Sequence, residues 1–115
     1  MKAGNLVLAA GLILGSSLMP LGSALADTWV VCTPTGVASF SNRIHVRCSQ
    51  SFSGIAFFAY KAGDSAGAAR YMSLASSAMI SGRNLRILYN PADQSGTAIG
   101  CQAGDCRLLT GMEMM

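Results

Sequence analysis

The chain has 115 residues, of which 51% are hydrophobic and 11% charged, with four Cys and a formal net charge of +3. That length holds one domain and no second one, and the apolar share excludes a disordered chain. The small positive balance argues against a nucleic-acid partner.

Residues 1–26 read as a secretory signal peptide. Lys2 is the charged start, residues 6–14 are a short apolar run, and Ser16, Ser17, Pro20 and Gly22 break any helix. Ala24-Leu25-Ala26 is a small-x-small cleavage site, which makes Asp27 the new N-terminus. A membrane anchor is the alternative, but the run falls short of the ~20 residues that a bilayer span needs. Removing the 26 residues, with Lys2 among them, leaves 89 residues at net +2. Residues 27–115 form one domain without a membrane span, secreted or periplasmic. A domain this small needs staples.

Residues 28–33 form a short Val- and Trp-containing strand. Pro34-Thr35-Gly36 breaks it, residues 37–40 continue it, and Ser41-Asn42 is a turn. Residues 43–48 then alternate. Ile44, Val46 and Cys48 face one way, and Arg43, His45 and Arg47 face the other, as in a half-buried strand with a basic outer face. Residues 49–53 read as a polar hairpin connection. Residues 54–61 form an apolar strand, with Ile55, Phe57 and Ala59 on one face and Phe58 and Tyr60 on the other. Such a strand is central, covered by a helix, or part of an interface.

Gly63-Asp64-Ser65 opens a helix, with Asp64 or Ser65 as N-cap. Ala68, Tyr71, Met72, Ala75 and Met79 recur at helical spacing as a core stripe, and Gly82 ends the helix. Leu85, Ile87 and Tyr89 alternate in the next strand, and residues 90–96 form a loop. Residues 97–101 and 106–114 are the last strand segments. The order β-β-β-α-β-β predicts a mainly β fold: a small five-stranded antiparallel barrel of OB type, with one α-helix between strands 3 and 4. An open α+β sheet covered by that helix is the alternative. Ile44, Val46, Ile55, Phe57, Tyr71, Met72, Ile87 and Leu108 are the expected core.

Cys32, Cys48, Cys101 and Cys106 allow three pairings. An oxidising compartment favours disulfides over thiols. Cys101–Cys106 would close a Gly- and Asp-containing turn, and Cys32–Cys48 would join neighbouring strands. A four-cysteine zinc site usually carries two short C-x2-4-C pairs. The fifteen residues between Cys32 and Cys48 do not fit that pattern, so neither metal nor cofactor is expected.

Gly63-Asp64-Ser65-Ala66-Gly67 matches G-x-S-x-G between a strand and a helix, the setting of a nucleophile elbow. The only His, His45, precedes the serine, and an activated serine needs an oriented base. The motif reads instead as a loop ending in a helix cap. Glycosidase chemistry needs two positioned carboxylates, and the five acids are scattered. The chain therefore reads as a binding protein rather than an enzyme. Arg43, His45 and Arg47, with the aromatic Tyr60, are the candidate ligand-binding residues. Trp29, Phe58 and Tyr89 are further aromatic surfaces. The doubly apolar strand and the outward positions Leu88 and Leu109 suggest a partner surface.

Two segments carry a family resemblance. Met79-Ile80-Ser81-Gly82-Arg83-Asn84-Leu85-Arg86-Ile87 and Ile99-Gly100-Cys101-Gln102-Ala103-Gly104-Asp105-Cys106 resemble B subunits of AB5 toxins, in the subtilase-cytotoxin and pertussis-like group. The resemblance spans roughly residues 66–107. It implies a secreted OB-fold, assembly into a ring pentamer, and binding to cell-surface glycans. A small exported protein that binds a protein partner or its own copies is the other expectation.

Overall fold

The computed structural model describes residues 26–115, so the expected signal peptide lies outside the described residues except for Ala26. Six strands, one α-helix and a 3-10 helix follow in chain order. They are β1 (Thr28–Cys32), β2 (Pro34–Ser39), β3 (Arg43–Phe52), β4 (Ile55–Lys61), α1 (Ser65–Ser81), β5 (Leu85–Tyr89), the 3-10 helix (Ser95–Ile99) and β6 (Cys106–Met114). The fold is mainly β. The strands form one mixed sheet in the order β1-β5-β6-β4-β3-β2.

Two features differ from the expected five-stranded antiparallel set. The first apolar stretch is two strands, because residues 28–32 pair with β5 and residues 34–39 with β3, the change of partner falling at Thr33. The helix therefore lies between the fourth and fifth strands. The second difference is that β4 and β6 run parallel, Phe57 opposite Cys106 and Ala59 opposite Leu108. Parallel neighbours need a crossover, and α1 and β5 lie within it.

Thr33 alone separates β1 from β2, although the two end the sheet order on opposite sides. The junction is tied down. Thr33 O accepts from Ser49 N at 2.9 Å, Thr33 N donates to Gln50 Oε1 and Gln50 Nε2 to Thr33 Oγ1, both at 2.8 Å. The Cys32–Cys48 disulfide crosses the same place. The second disulfide, Cys101–Cys106, closes the turn before β6. Both pairings agree with the sequence reading.

The core lies between the sheet and α1, which packs across β2, β3, β4 and β6. Ile44, Val46, Ile55 and Ile87 are buried as expected. Phe57, Tyr71, Met72 and Leu108 are only half-buried. Phe58 and Leu109 are the fully buried side chains instead. Irregular register explains both shifts. The β3–β4 pairing slips between Arg47 and Phe52, so Ile55 and Phe58 reach one core despite their odd spacing. In β6, Leu88 pairs with Gly111 but Tyr89 pairs with Leu109, leaving Thr110 as the extra residue of a bulge. That bulge turns Leu109 inward with Met112 and Met114, so Leu109 is not an outward position. Leu88 is half-buried.

The polar connection at 49–53 is also shorter than expected. β3 runs to Phe52, and the turn is Ser53-Gly54 with φ of 54° and 90°, the pair of positive values that a type I′ hairpin demands. Residues 97–101 are not a strand. Gly96 packs so closely on Cys101 and Leu108 that a Cβ would sit 2.9 Å from each. Gly100, at φ 92°, ends the 3-10 helix by donating to Gly96 O and Thr97 O.

The helix begins on Asp64, whose side chain accepts from Gly67 N at 3.1 Å, and stops at left-handed Gly82. Its buried side is small: Gly67, Ala68, Ala75 and Ala78. Met79 is exposed, contrary to the expected Met and Tyr stripe. Small residues let the helix axis lie close to the sheet, while Tyr71 and Leu74 fill the flanks of the core.

Candidate functional site

The outward face of β3 carries Arg43, His45 and Arg47, while Ile44, Val46 and Cys48 point into the core. This is the alternation read from the sequence. Across β4, His45 stands opposite Ala59 and Arg47 opposite Phe57. Beyond β4 the parallel strand β6 begins at Cys106, preceded by the disulfide-closed turn. The turn is joined to β4 by its own backbone, because Asp105 O accepts from Ala56 N and Phe57 N, both at 3.0 Å.

These elements enclose a cleft of about 160 Å³ lined by Arg43, His45, Phe57, Gly100, Gln102, Asp105 and Cys106. Small-molecule pockets run to roughly 300–1,000 Å³, so this is a small, open cleft. His45 is held between two aromatic rings, Phe40 at 5.2 Å and Phe57 at 5.3 Å between centroids. Burial, and then the charges of Arg43 and Arg47, lower its pKa below the ordinary 6.5. The imidazole is therefore neutral at neutral pH, with one ring nitrogen donating and the other accepting.

Arg43 is fixed in place. Its guanidinium stacks 4.3 Å from the Phe40 centroid, and Nη1 donates to Ile99 O and Asn42 Oδ1, both at 3.2 Å. A Cβ on Gly100 would lie 2.8 Å from that nitrogen, so glycine permits the approach. In contrast, the side chains of His45, Gln102 and Asp105 make no hydrogen bond to another described residue.

Of the four residues singled out from sequence, the cleft brings together Arg43 and His45. Arg47 shares their strand face but lies farther along, where Nε donates to Thr35 Oγ1 at 3.1 Å. Tyr60 is elsewhere. It stands opposite Ile44, its hydroxyl donates to Asp64 Oδ2 at 2.6 Å, and its ring meets Tyr71 edge-on at 4.9 Å. Tyr60 thus braces the start of α1.

Asp64 explains the G-x-S-x-G match. Its carboxylate, held below the usual range by the Tyr60 hydroxyl and then the Gly67 amide, is the helix cap. A Cβ at Gly67 would lie 2.4 Å from Asp64 Oδ2, so glycine is required for that approach. Ser65 is exposed and lines a different depression from His45, beside Ser39, Ile44 and Met72.

Sequence reasoning missed Phe57, Gln102 and Asp105, and also Arg107. The signal for Gln102 and Asp105 was present: they are the polar residues of the turn that Cys101 and Cys106 close. Arg107 is 8% exposed. It donates to Pro91 O at 2.8 Å, Ala103 O at 2.6 Å and Cys106 O at 2.7 Å. It holds the 91 loop and the disulfide turn against β6. Its signal was a lone cation between Cys106 and Leu108-Leu109.

Among the described residues, no group of three His, Cys, Asp or Glu could hold a metal ion, and no helix is long and apolar enough to cross a membrane. Comparison with family models, curated proteins and solved structures returns no match.

Proposed function

We propose that this chain is an exported, non-enzymatic binding module whose cleft captures a sugar of a glycan. One observation carries the reading: three polar side chains that make no hydrogen bond among the described residues, His45, Gln102 and Asp105, line the cleft together with the ring of Phe57. A few placed polar groups against an apolar surface suit a hydroxyl-rich ring. The likeness of residues 79–87 and 99–106 to AB5 toxin B subunits points the same way and adds ring assembly to the expectation. Export is supported by two disulfides, which persist in oxidising compartments.

We further propose that the sheet curls into a barrel of OB type. On this reading β1 and β2 are one strand broken at Thr33. The support is their single-residue junction at opposite ends of the sheet order, and the Cys32–Cys48 bridge beside it. Counting them as one leaves five strands with the helix after the third.

Binding without turnover fits a cleft with one carboxylate, because glycoside hydrolysis needs two, and a Ser65 that shares no depression with His45. Ser65→Ala is expected to change no hydrolytic rate. A folded variant that lost an esterase or protease rate would overturn that part.

A protein-partner reading has its own observation. Trp29 and Val31 on β1 are 44% and 43% exposed, and Ile80 on α1 is 84% exposed. A glycan array combined with mass in solution separates the two readings. Array hits from a ring oligomer support the first, and a monomer without hits leaves the second.

A further inference from the structure

We infer that the cleft takes a neutral sugar through a vicinal pair of hydroxyls, and discriminates against acidic sugars. This rests on the glycan-binding reading and narrows it.

The charged residues that line the cleft are Arg43 and Asp105, beside a neutral His45 that also feels the charge of Arg47. The two lining charges are unequally free. Arg43 already directs Nη1 at Ile99 O and Asn42 Oδ1, and one guanidinium face lies on Phe40. Among the described residues Asp105 spends only its backbone: its carbonyl receives Ala56 N and Phe57 N, and its N–H goes to Gln102 O at 3.2 Å. Its carboxylate has two oxygens that accept and none that donates. The natural partner of a free carboxylate is a pair of adjacent O–H donors, joined by short, charge-assisted bonds. A sugar carboxylate in the same cleft would meet Asp105 as a like charge.

The remaining groups complete the fit. Gln102 donates and accepts through its amide, and neutral His45 does so through its two nitrogens, so hydroxyls on either side of the pair find partners. Phe57 gives the C–H face of a ring an apolar wall. The turn that carries Gln102 and Asp105 is held by the Cys101–Cys106 disulfide, by Arg107 through Ala103 O, and by β4 through Asp105 O. The backbone that carries the carboxylate is therefore placed before the ligand arrives, which lowers the ordering cost of binding.

The test is a titration of the isotope-labelled exported protein with four probes, followed by amide shifts in NMR. The probes are methyl β-D-galactopyranoside, methyl α-D-mannopyranoside, methyl β-D-glucuronide and the methyl glycoside of N-acetylneuraminic acid. A neutral glycoside is expected to shift residues 57 and 100–106. Asp105→Asn should weaken that binding roughly tenfold, the scale of a charge-assisted bond. Asp93→Asn, a carboxylate outside the cleft, should leave it unchanged. Acidic glycosides that bind in the cleft, and bind more tightly to Asp105→Asn, would overturn this inference and leave the glycan reading standing. No shift with any probe, together with an empty glycan array, would overturn both.

Discussion

Arg107 does not line the cleft, but it holds the turn that carries Gln102 and Asp105. A buried guanidinium is costly unless its donors are paired, and here Nε and Nη1 donate to three backbone carbonyls. Arg107→Ala should lower the unfolding free energy by roughly 3 kcal/mol, because several buried carbonyls would lose their donor. Arg107→Lys, with one compact donor group in place of a fork, should fall between. Urea unfolding of the three proteins checks the ranking. His45 gives a prediction of opposite origin. Its folded pKa is lowered, by burial first and the two arginines next, so the unfolded chain binds the proton more readily. The stability that the neutral ring supports is complete above about pH 6.5 and is lost as pH falls through the lowered folded value. His45→Gln should flatten stability against pH in that window, and an unchanged slope would contradict the assignment. Glycines divide by what surrounds them. Gly82→Ala meets open space at φ 70° and should cost about 1–2 kcal/mol of left-handed strain. Gly100→Ala, at φ 92°, also displaces Arg43 Nη1, 2.8 Å from the added Cβ, and should cost more in the same urea unfolding.

At the scale of elements, the sequence was most legible where period and caps agree. The alternation of 43–48, the helix between Asp64 and Gly82 and the Cys101–Cys106 bridge were readable because each follows from spacing within a few residues; the Cys32–Cys48 bridge was also found, although it joins β1 to β3, which are not neighbours in the sheet. The strand register of β4 and β6 was not. A bulge is set by where two strands must meet, so the odd spacing of Ile55 and Phe58 could not reveal that both face one core. The same holds for Thr110, whose insertion sends Leu109 inward. Residues 97–101 read as a strand segment, but Gly96 and Gly100 tighten that stretch into a 3-10 turn. The corrected register has a direct test. Phe58→Ala should cost about 3–5 kcal/mol as a full core deletion, and Phe57→Ala, half-buried over the cleft, clearly less. Equal losses would restore the register expected from simple alternation. The disulfides should also differ. Removing Cys32–Cys48, which closes a loop of about 15 residues, should cost on the order of 3 kcal/mol. Removing Cys101–Cys106 should cost less in stability and show mainly in the turn that carries Gln102 and Asp105.

For the whole molecule, topology rather than any single motif makes the candidate site. His45 and Asp105 are 60 residues apart in the chain, and the parallel pairing of β4 with β6 brings the disulfide turn beside the outer face of β3. That assembly explains why Arg43 and His45 were legible as a basic outer face, while Gln102 and Asp105 were visible only as turn residues. It also explains the doubly apolar β4. The strand is central, with Phe58 in the main core and Ala59 in the smaller cluster of Cys101 and Cys106. Its composition therefore does not require an interface. The exposed Trp29 carries Arg86 at 4.5 Å from a ring centroid, and Arg86 pairs with Glu113 at 3.1 Å. Exposed pairs of this kind contribute about 0–1 kcal/mol, so they decorate the outer sheet without fixing it. The central claim is that the cleft between β3, β4 and the disulfide turn captures a sugar. A glycan array probed with the protein and with its Gln102→Ala, Asp105→Ala double variant tests it most directly. The account predicts discrete hits for the first protein and their loss in a variant whose melting and circular dichroism are unchanged. Hits that survive the double substitution at full strength would place sugar binding elsewhere and contradict it.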